Sequence, residues 1–512
     1  MNTKKWLLCS LIGCCVVGCS DDAPSAKGSG TGTSGGSHGV SQAGAQDFGA
    51  FRAVLERGEV PGPSVLDDLG FFAEHKLDFA KPDCGGNLCV HAEVGAMANM
   101  VDGAACTLVE IGMNTTLDPE KLVRPPLDVV IVIDTSGSMA GEPMAAIREG
   151  CKRMVDYLEP DDHVSLVRFS TAATIAFEDQ PLANKATILK GFAELNDDGW
   201  TNLYDGLYTA FQVAAKHAKP GRQTRVVYMS DGTANTGLVS GAKLRSLARA
   251  YAKQGIGITT IGLGTEFDVQ ILRDLAEAGG GNFYFVEKNA AALEVFKDEV
   301  QTAFFPLALD LQIEIEAGPG YVIRGVYGTH GWQGGQLGGT ISVPALYLAK
   351  RTNAAAPIDG GRRGGGGVIL VELAALKGVK DKAVAKLSTS YFAPGAAKPT
   401  LSDNALTLPH APGDVPAGGF FSAASLQKGF VMLNLYAAFQ KAALLARDAD
   451  TGTAISTLGA LKGKVGNWLK AQAAPDPDIT DDLKYVDLFM VNLAKLPVQT
   501  PKGNIAPMWA YD

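Results

Sequence analysis

Charge is scarce in this chain. Asp, Glu, Lys and Arg make up 19% of its 512 residues, below the usual quarter. Basic residues are the minority, 45 against 54 acidic ones, and the formal net charge is -9. That gives no support to a nucleic-acid binder, which normally presents a basic face. Histidine is rarer still, with seven in all, spread singly along the chain. No uninterrupted apolar run reaches the roughly 18–20 residues that span a bilayer, which argues against a polytopic membrane protein. Two catalytic signatures are absent as well, HExxH and the phosphate loop GxxxxGK[ST], and GxSxG occurs only inside the Gly/Ser tract, as GTSGG over 32–36 and GGSHG over 35–39, which lacks the apolar strand that a nucleophile elbow follows. Glycine, in contrast, is abundant: 61 residues, or about 12%, against a usual ~7%. With 46% hydrophobic residues the chain can bury sizeable cores in several domains. Global disorder, a coiled coil and a collagen-like rod do not fit this composition.

The first residues read as an address. Lys4 and Lys5 precede an apolar stretch from Trp6 to Val17, long enough for a secretory signal and too short for a transmembrane helix. Val16-Val17-Gly18-Cys19 resembles the lipobox of bacterial lipoproteins. That resemblance implies that residues 1–18 leave as a signal peptide and that Cys19 receives lipid; an ordinary signal peptide cut nearby is the alternative. Ser20 follows the Cys, where Asp would favour the inner membrane, so the expected location is the bacterial cell envelope, with a lipid anchor in the outer membrane. Beyond the signal and the anchor, four Cys remain: Cys84, Cys89, Cys106 and Cys151. An exported chain meets an oxidising compartment, and the Gly-rich turn Cys84-Gly-Gly-Asn-Leu-Cys89 allows a local disulfide. A metal held by Cys84, Cys89 and His91 is the alternative, although that spacing fits no zinc pattern. Cys151 shares helical spacing with Met144, Ile147, Met154, Val155 and Leu158 and reads as a buried, inert core residue.

The organisation expected is a multidomain α/β chain. Residues 19–45 are a Gly/Ser tract read as a flexible tether. Residues 46–126 form an N-terminal helical and strand extension, with helical patterns around Pro61-Gly62-Pro63 and a strand over 105–113. From 127 to 305 strands and helices alternate. Asp128–Ile133 is an apolar run suited to a strand buried on both faces, and 10–16-residue helices separate the later strands. That alternation predicts a doubly wound, mainly parallel, Rossmann-like sheet, closed by a helix over 290–304. Residues 306–415 hold β-like runs suggesting a small sandwich. Residues 416–512 read as helical, with helices over 455–471 and from Thr480 to Leu496. Gly360–Gly366 and Asp448-x-Asp450-x-Gly452 read as a loop and a helix-ending turn.

The strongest chemical signal is Asp134-Thr135-Ser136-Gly137-Ser138, directly after the apolar strand. In a parallel sheet, the loops after the strands share one edge, where ligands bind. Asp134, Ser136 and Ser138 alternate, so a tight loop can turn three oxygens to one point. One carboxylate and two hydroxyls make a hard oxygen site suited to Mg²⁺, or less selectively to Mn²⁺ or Ca²⁺. Two further loops bring Thr201, from Gly199-Trp200-Thr201-Asn202, and Asp231, from Ser230-Asp231-Gly232. His163 and His217 read as an edge residue and a helix-terminal residue.

This set of loops resembles the von Willebrand factor type A (VWA) domain with its metal-ion-dependent adhesion site. The whole chain resembles bacterial VWA-containing lipoproteins, through FRAVLERGEVPGP, RPPLDVVIVIDTSGSMAG and YVDLFMVNLAKL. The resemblance implies that Asp134, Ser136, Ser138, Thr201 and Asp231 are the metal residues, with Asp231 acting through water. It departs at Trp200, where Gly is common; Trp200 either narrows the rim or anchors a partner. The implied function is a tethered module that binds a protein partner presenting an acidic residue, through a divalent cation, with no nucleic acid involved. A structural envelope protein with a purely stabilising metal is the alternative. A metal-dependent hydrolase is the weaker third reading, since no nucleophile or general base is recognisable beside these loops.

Overall fold

The computed structural model describes residues 38–46, 48–118, 122–197, 199–231, 236–237, 240–263, 269–286, 305–349 and 367–496. In chain order, β1 (His38–Gln42) and β2 (Gly44–Ala45) are followed by α1 (Gly49–Glu56) and α2 (Asp68–Ala73), then by β3 (Cys89–Ala98) and β4 (Ala105–Thr115). The alternating segment comprises β5 (Leu127–Asp134), α3 (Glu142–Tyr157), β6 (His163–Phe169), β7 (Ala173–Pro181), α4 (Lys185–Ala193), α5 (Leu203–His217), β8 (Gln223–Ser230), α6 (Gly241–Ala252), β9 (Ile256–Leu263), α7 (Val269–Ala278) and β10 (Asn282–Val286). Next come β11 (Pro306–Ala317), β12 (Tyr321–Tyr327), β13 (Trp332–Gly335), β14 (Gly338–Ala349), β15 (Val368–Ala375), β16 (Ala383–Phe392), β17 (Thr400–Thr407) and β18 (Phe420–Phe421). The helices α8 (Ala424–Arg447), α9 (Thr451–Ala471) and α10 (Pro477–Leu493) end the described chain.

The α/β region is a sheet in the order β2-β10-β9-β8-β5-β6-β7. Its strands pair in parallel except at the β6–β7 edge. β5 lies at its centre and is buried along its whole length, as its run of Val and Ile requires. One face packs against α3 and α4 through residues such as Ile131, Ile147 and Phe192. The other packs against α5, α6 and α7 through Val132, Phe211, Leu244 and Leu272. β7 and α4 were not anticipated, because ATIAFEDQP alternates only weakly and is exposed or half-buried.

Two sequence expectations are corrected. The end of the expected tether, residues 38–45, is strand. β1 pairs with β4 and β14, and β2 pairs with β10. The polar residues there are satisfied by hydrogen bonds, not by solvent: Gln46 Nε2 donates to the carbonyls of Gln42 (2.8 Å) and Gly44 (2.9 Å), and Gln42 Nε2 donates to Gly328 O (3.2 Å). Backbone pairing therefore orders a segment that has few apolar side chains to bury. Likewise, 306–415 does not make its sheet alone. The sheet runs β12-β15-β4-β1-β14-β11-β16-β17, with β3 added beside β4. Val109 and Ile111 from the extension share a core with Ile313, Val343 and Leu387.

The extension also completes the helical core. Phe51 meets Phe439 at 4.9 Å between ring centroids and Phe489 at 6.0 Å, and Phe48 meets Phe71 at 5.2 Å. Edge-to-face and tilted pairs of this kind add to the energy of area burial. By length and composition α8 is long and apolar enough to cross a membrane, but 78% of its apolar stretch is buried inside the fold. Asn434 sits within it, accepting from Met100 N–H at 2.7 Å, so α8 is an interior helix here. The last helix starts earlier than Thr480: Asp476 caps α10 by accepting from the N–H groups of Asp478 and Ile479. Asp450 ends one turn and opens the next helix, accepting from Thr453 N–H at 3.0 Å. The expected helix over 290–304, the loop 360–366, the signal peptide and Cys19 lie outside the described residues.

Glu110 of β4 is 0% exposed. Ser425 Oγ donates to its Oε1 at 2.6 Å, while its Oε2 has no hydrogen-bond partner among the described residues. Burial, only partly offset by the Ser425 bond, pushes its carboxyl up to about 8. Folded protein thus holds this proton more tightly than unfolded chain. Glu110's contribution to stability should be fully present below about pH 4.5 and decline by up to a few kcal/mol as pH rises to about 8. Glu110→Gln should flatten that decline, which denaturant unfolding at several pH values will measure.

Candidate metal centre

Three loops meet at the edge where the parallel strands end. β5 delivers Asp134, 0% exposed, to the start of the first loop. Its Oδ1 accepts from Ser136 N–H at 2.9 Å, and its Oδ2 accepts from Ser230 Oγ–H at 2.6 Å. Thr135 donates both its N–H (2.7 Å) and its hydroxyl (3.0 Å) to Phe169 O, tying the loop to the end of β6. The Ser136 and Ser138 hydroxyl oxygens lie 3.2 Å apart, with Ser136 buried and Ser138 exposed.

The second loop depends on Gly199, whose φ of +80° favours glycine, and a Cβ there would come within 2.7 Å of Thr171 Oγ1. Gly137 N–H donates to Gly199 O at 3.2 Å, joining the first loop to the second. Trp200 N–H donates to Thr171 Oγ1 at 3.0 Å, while its side chain stands 64% exposed. Thr201 is buried, and Asn202 caps α5 by accepting from Asp205 N–H at 3.2 Å. Tyr228 donates to Leu203 O at 3.1 Å, holding the first turn of α5 against β8. The third loop closes the ring. Ser230 reaches Asp134, Asp231 is buried beside it, and Thr236 N–H donates to Thr201 O at 3.3 Å.

Each loop is therefore bonded to the other two, and the loops carrying Asp134, Ser136, Ser138, Thr201 and Asp231 come together. Sequence reasoning missed Ser230, Thr171 and the strain at Gly199. Ser230 was visible as the neighbour of Asp231, but its partner across the sheet was not. Gly232 lies outside the described residues. Away from this edge, Cys84 and Cys89 form a disulfide with their Cα atoms 5.6 Å apart. Cys106 and Cys151 are free and buried, and burial pushes both thiols upward, so neither is poised as a nucleophile.

The electrostatics favour a cation. Burial pushes the Asp134 carboxyl up to about 6; the hydrogen bonds from Ser230 and Ser136 pull it down, and the charge of Asp231 pushes it up. No Lys or Arg among the described residues pairs with Asp134. A buried carboxylate without a countercharge is costly, and the surrounding donors are all oxygen. That set fits a hard divalent ion and offers none of the thiolate or imidazole ligands that zinc prefers.

Residues 128–299 match the von Willebrand factor type A domain, and this part of the chain is a domain of that family. Over 200 residues the chain is 28% identical to the uncharacterized protein YfbK of Escherichia coli, covering 39% of this chain and 35% of that one. The chain thus spans only about a third of that relative's length. Among solved structures, a von Willebrand factor type A protein from Catenulispora acidiphila is similar at 15% identity, covering 80% of this chain and 89% of that one, with a TM-score of 0.48. Proximal thread matrix protein 1 from the mussel byssus, described with a zinc-occupied MIDAS motif, is 20% identical, covering 35% of this chain and 49% of that one, with a TM-score of 0.30.

Metal-free protein should lose up to about 3 kcal/mol of stability as pH rises from about 4 to about 6, because Asp134 holds its proton more tightly folded than unfolded. Below about pH 6, Mg²⁺ or Mn²⁺ affinity should fall up to tenfold per pH unit as protons compete for the carboxylate. Ser230→Ala removes a bond that favours the charged form, so its affinity loss should be larger at pH 6 than at pH 8. Isothermal titration across that range measures both effects.

Proposed function

We propose that this protein is a lipid-anchored binding module of the bacterial cell envelope, which grips an acidic side chain of a protein partner through a divalent cation at the Asp134 site. The carrying observation is the closed ring of loop-to-loop bonds around a buried carboxylate, at an edge where Ser138 and Trp200 face solvent. Asp134 supplies buried negative charge, and Ser136, Ser138 and Thr201 supply neutral hydroxyls. Asp231 adds a second charge from the third loop, through water. A Mg²⁺ ion held mainly by neutral donors keeps net positive character and can accept a carboxylate from outside. The loops are fixed by their mutual bonds, so little ordering is needed when a partner docks. Trp200 offers an aromatic anchor beside that position, of a kind enriched among residues that dominate interface energy. The anchor is Cys19, with the outer membrane as the proposed location. The site is read as one for binding, not for catalysis.

A purely stabilising ion is the competing reading, and the two differ in what Asp134→Ala does. For a binding module, the variant stays folded and the full chain loses the envelope partner that it captures in Mg²⁺ and releases in EDTA. Trp200→Ala should weaken that capture by roughly 1–3 kcal/mol, about five- to 160-fold. A drop in unfolding temperature with no cation-dependent partner would favour the stabilising ion.

A further inference from the structure

The opposite edge of the same sheet, where the parallel strands begin, holds a second group of side chains. Asp128 is the second residue of β5, and His163 opens β6 directly beside it in register. β7 runs antiparallel, so Glu178 and Asp179 return to this edge, and His217 arrives as the last residue of α5. Both imidazoles address one carboxylate: His163 Nδ1 lies 2.6 Å from Asp179 Oδ1, and His217 Nδ1 lies 3.3 Å from Asp179 Oδ2. One oxygen each of Asp128 and Asp179 and one nitrogen of His163 lie within 4.8 Å of one another. Asp128 is 5% exposed; its Oδ1 is bound by Arg222 at 2.8 Å, whereas its Oδ2 is buried with no hydrogen-bond partner among the described residues.

The geometry points to a zinc-class site: we propose that His163, Asp179 and Asp128 bind one borderline divalent cation such as Zn²⁺, with His217 outside the ligand set as a positioning residue for Asp179. Imidazole and carboxylate together suit that class and not Mg²⁺. Ligand bonds of ~2.0–2.1 Å in tetrahedral geometry place donor atoms about 3.3 Å apart, and the 2.6 Å contact between His163 Nδ1 and Asp179 Oδ1 needs only a small adjustment to meet that spacing. His217 Nε2 lies 3.0 Å from Glu178 Oε2. His217 thus spans the Glu178 and Asp179 carboxylates and positions the ligating Asp179 from outside the ligand set. The charges also allow it. Asp128, Glu178 and Asp179 bring three negative charges, and Arg222 on Asp128 and Lys216 on Glu178 bring two positive ones. The orphaned Asp128 oxygen is the group that a cation would satisfy. This position is six residues along β5 from Asp134, roughly 20 Å at the rise of a strand, and is independent of the proposed partner-binding site.

Co²⁺, which reports nitrogen and oxygen coordination by a visible absorption band, tests the assignment on the full chain after dialysis against EDTA. One equivalent should produce the band, Zn²⁺ should abolish it and excess Mg²⁺ should not. The band should persist in Asp134→Ala. Affinity should fall at least about tenfold in His163→Ala and in His217→Ala, with far-ultraviolet circular dichroism unchanged because both histidines lie near the surface. Asp179→Asn, whose side chain suits the positive φ of 49° at that position, guards against a folding defect and should also lose the band. No band in the wild type, an undiminished band in the histidine variants, or loss of the band in Asp134→Ala alone would overturn the assignment. In each of those cases the histidines serve only as hydrogen-bonding partners of the carboxylates.

Discussion

A carboxylate buried at the end of a strand that is covered on both faces needs something to answer its charge. At Asp134 the protein supplies two hydrogen bonds, one from the next turn of its own loop and one from the neighbouring strand through Ser230. Those bonds orient the group without neutralising it, and burial raises its proton affinity. The remaining loops are arranged around that unmet charge. Gly137 N–H bonds the first loop to Gly199 O, Gly199 takes a positive φ where a Cβ would crowd Thr171, and Thr236 links the second loop to the third. The edge is thus stiff in its backbone and rich in oxygen.

The same strands and helix that define this edge also define the other one. β5 begins beside His163 and ends at Asp134, and α5 begins at the capped Asn202 and ends at His217. Both elements are held by apolar packing over most of their length: Val130 and Val132 of β5 against Leu207 and Phe211 of α5. Polar chemistry is confined to their ends, where strand and helix termini leave backbone groups and side chains facing outward. The two edges differ in chemistry because they differ in donors. One offers hydroxyls and carboxylates, the other imidazoles and carboxylates.

The α/β region was largely legible, because apolar strands such as DVVIVI and amphipathic helices announce themselves by periodicity. The first loop was legible because its oxygens alternate within five residues. Contacts between distant residues left no such trace. Ser230 with Asp134, and Thr171 with Trp200, are pairs that only the folded sheet creates. β7 escaped notice because an edge strand with one open face lacks a continuous apolar run, and with it went Asp179, the residue on which His163 and His217 converge. The division into successive domains was also too simple. β1, β3, β4, α1 and α2 donate their apolar faces to sheets and helices encoded far downstream, so the segments that pack together are not consecutive.

The short stretch 38–45 has a mechanical consequence. Within eight residues the chain contributes a strand to the large β-sheet and then an edge strand to the VWA sheet. β1 is bonded on both sides, to β4 and to β14. Tension arriving along the polypeptide from residues before 38 therefore meets a doubly clamped strand first, before it can reach the α/β sheet. The load is shared among several backbone hydrogen bonds, away from the loops that carry Asp134, Thr201 and Asp231 at the far end of the α/β sheet.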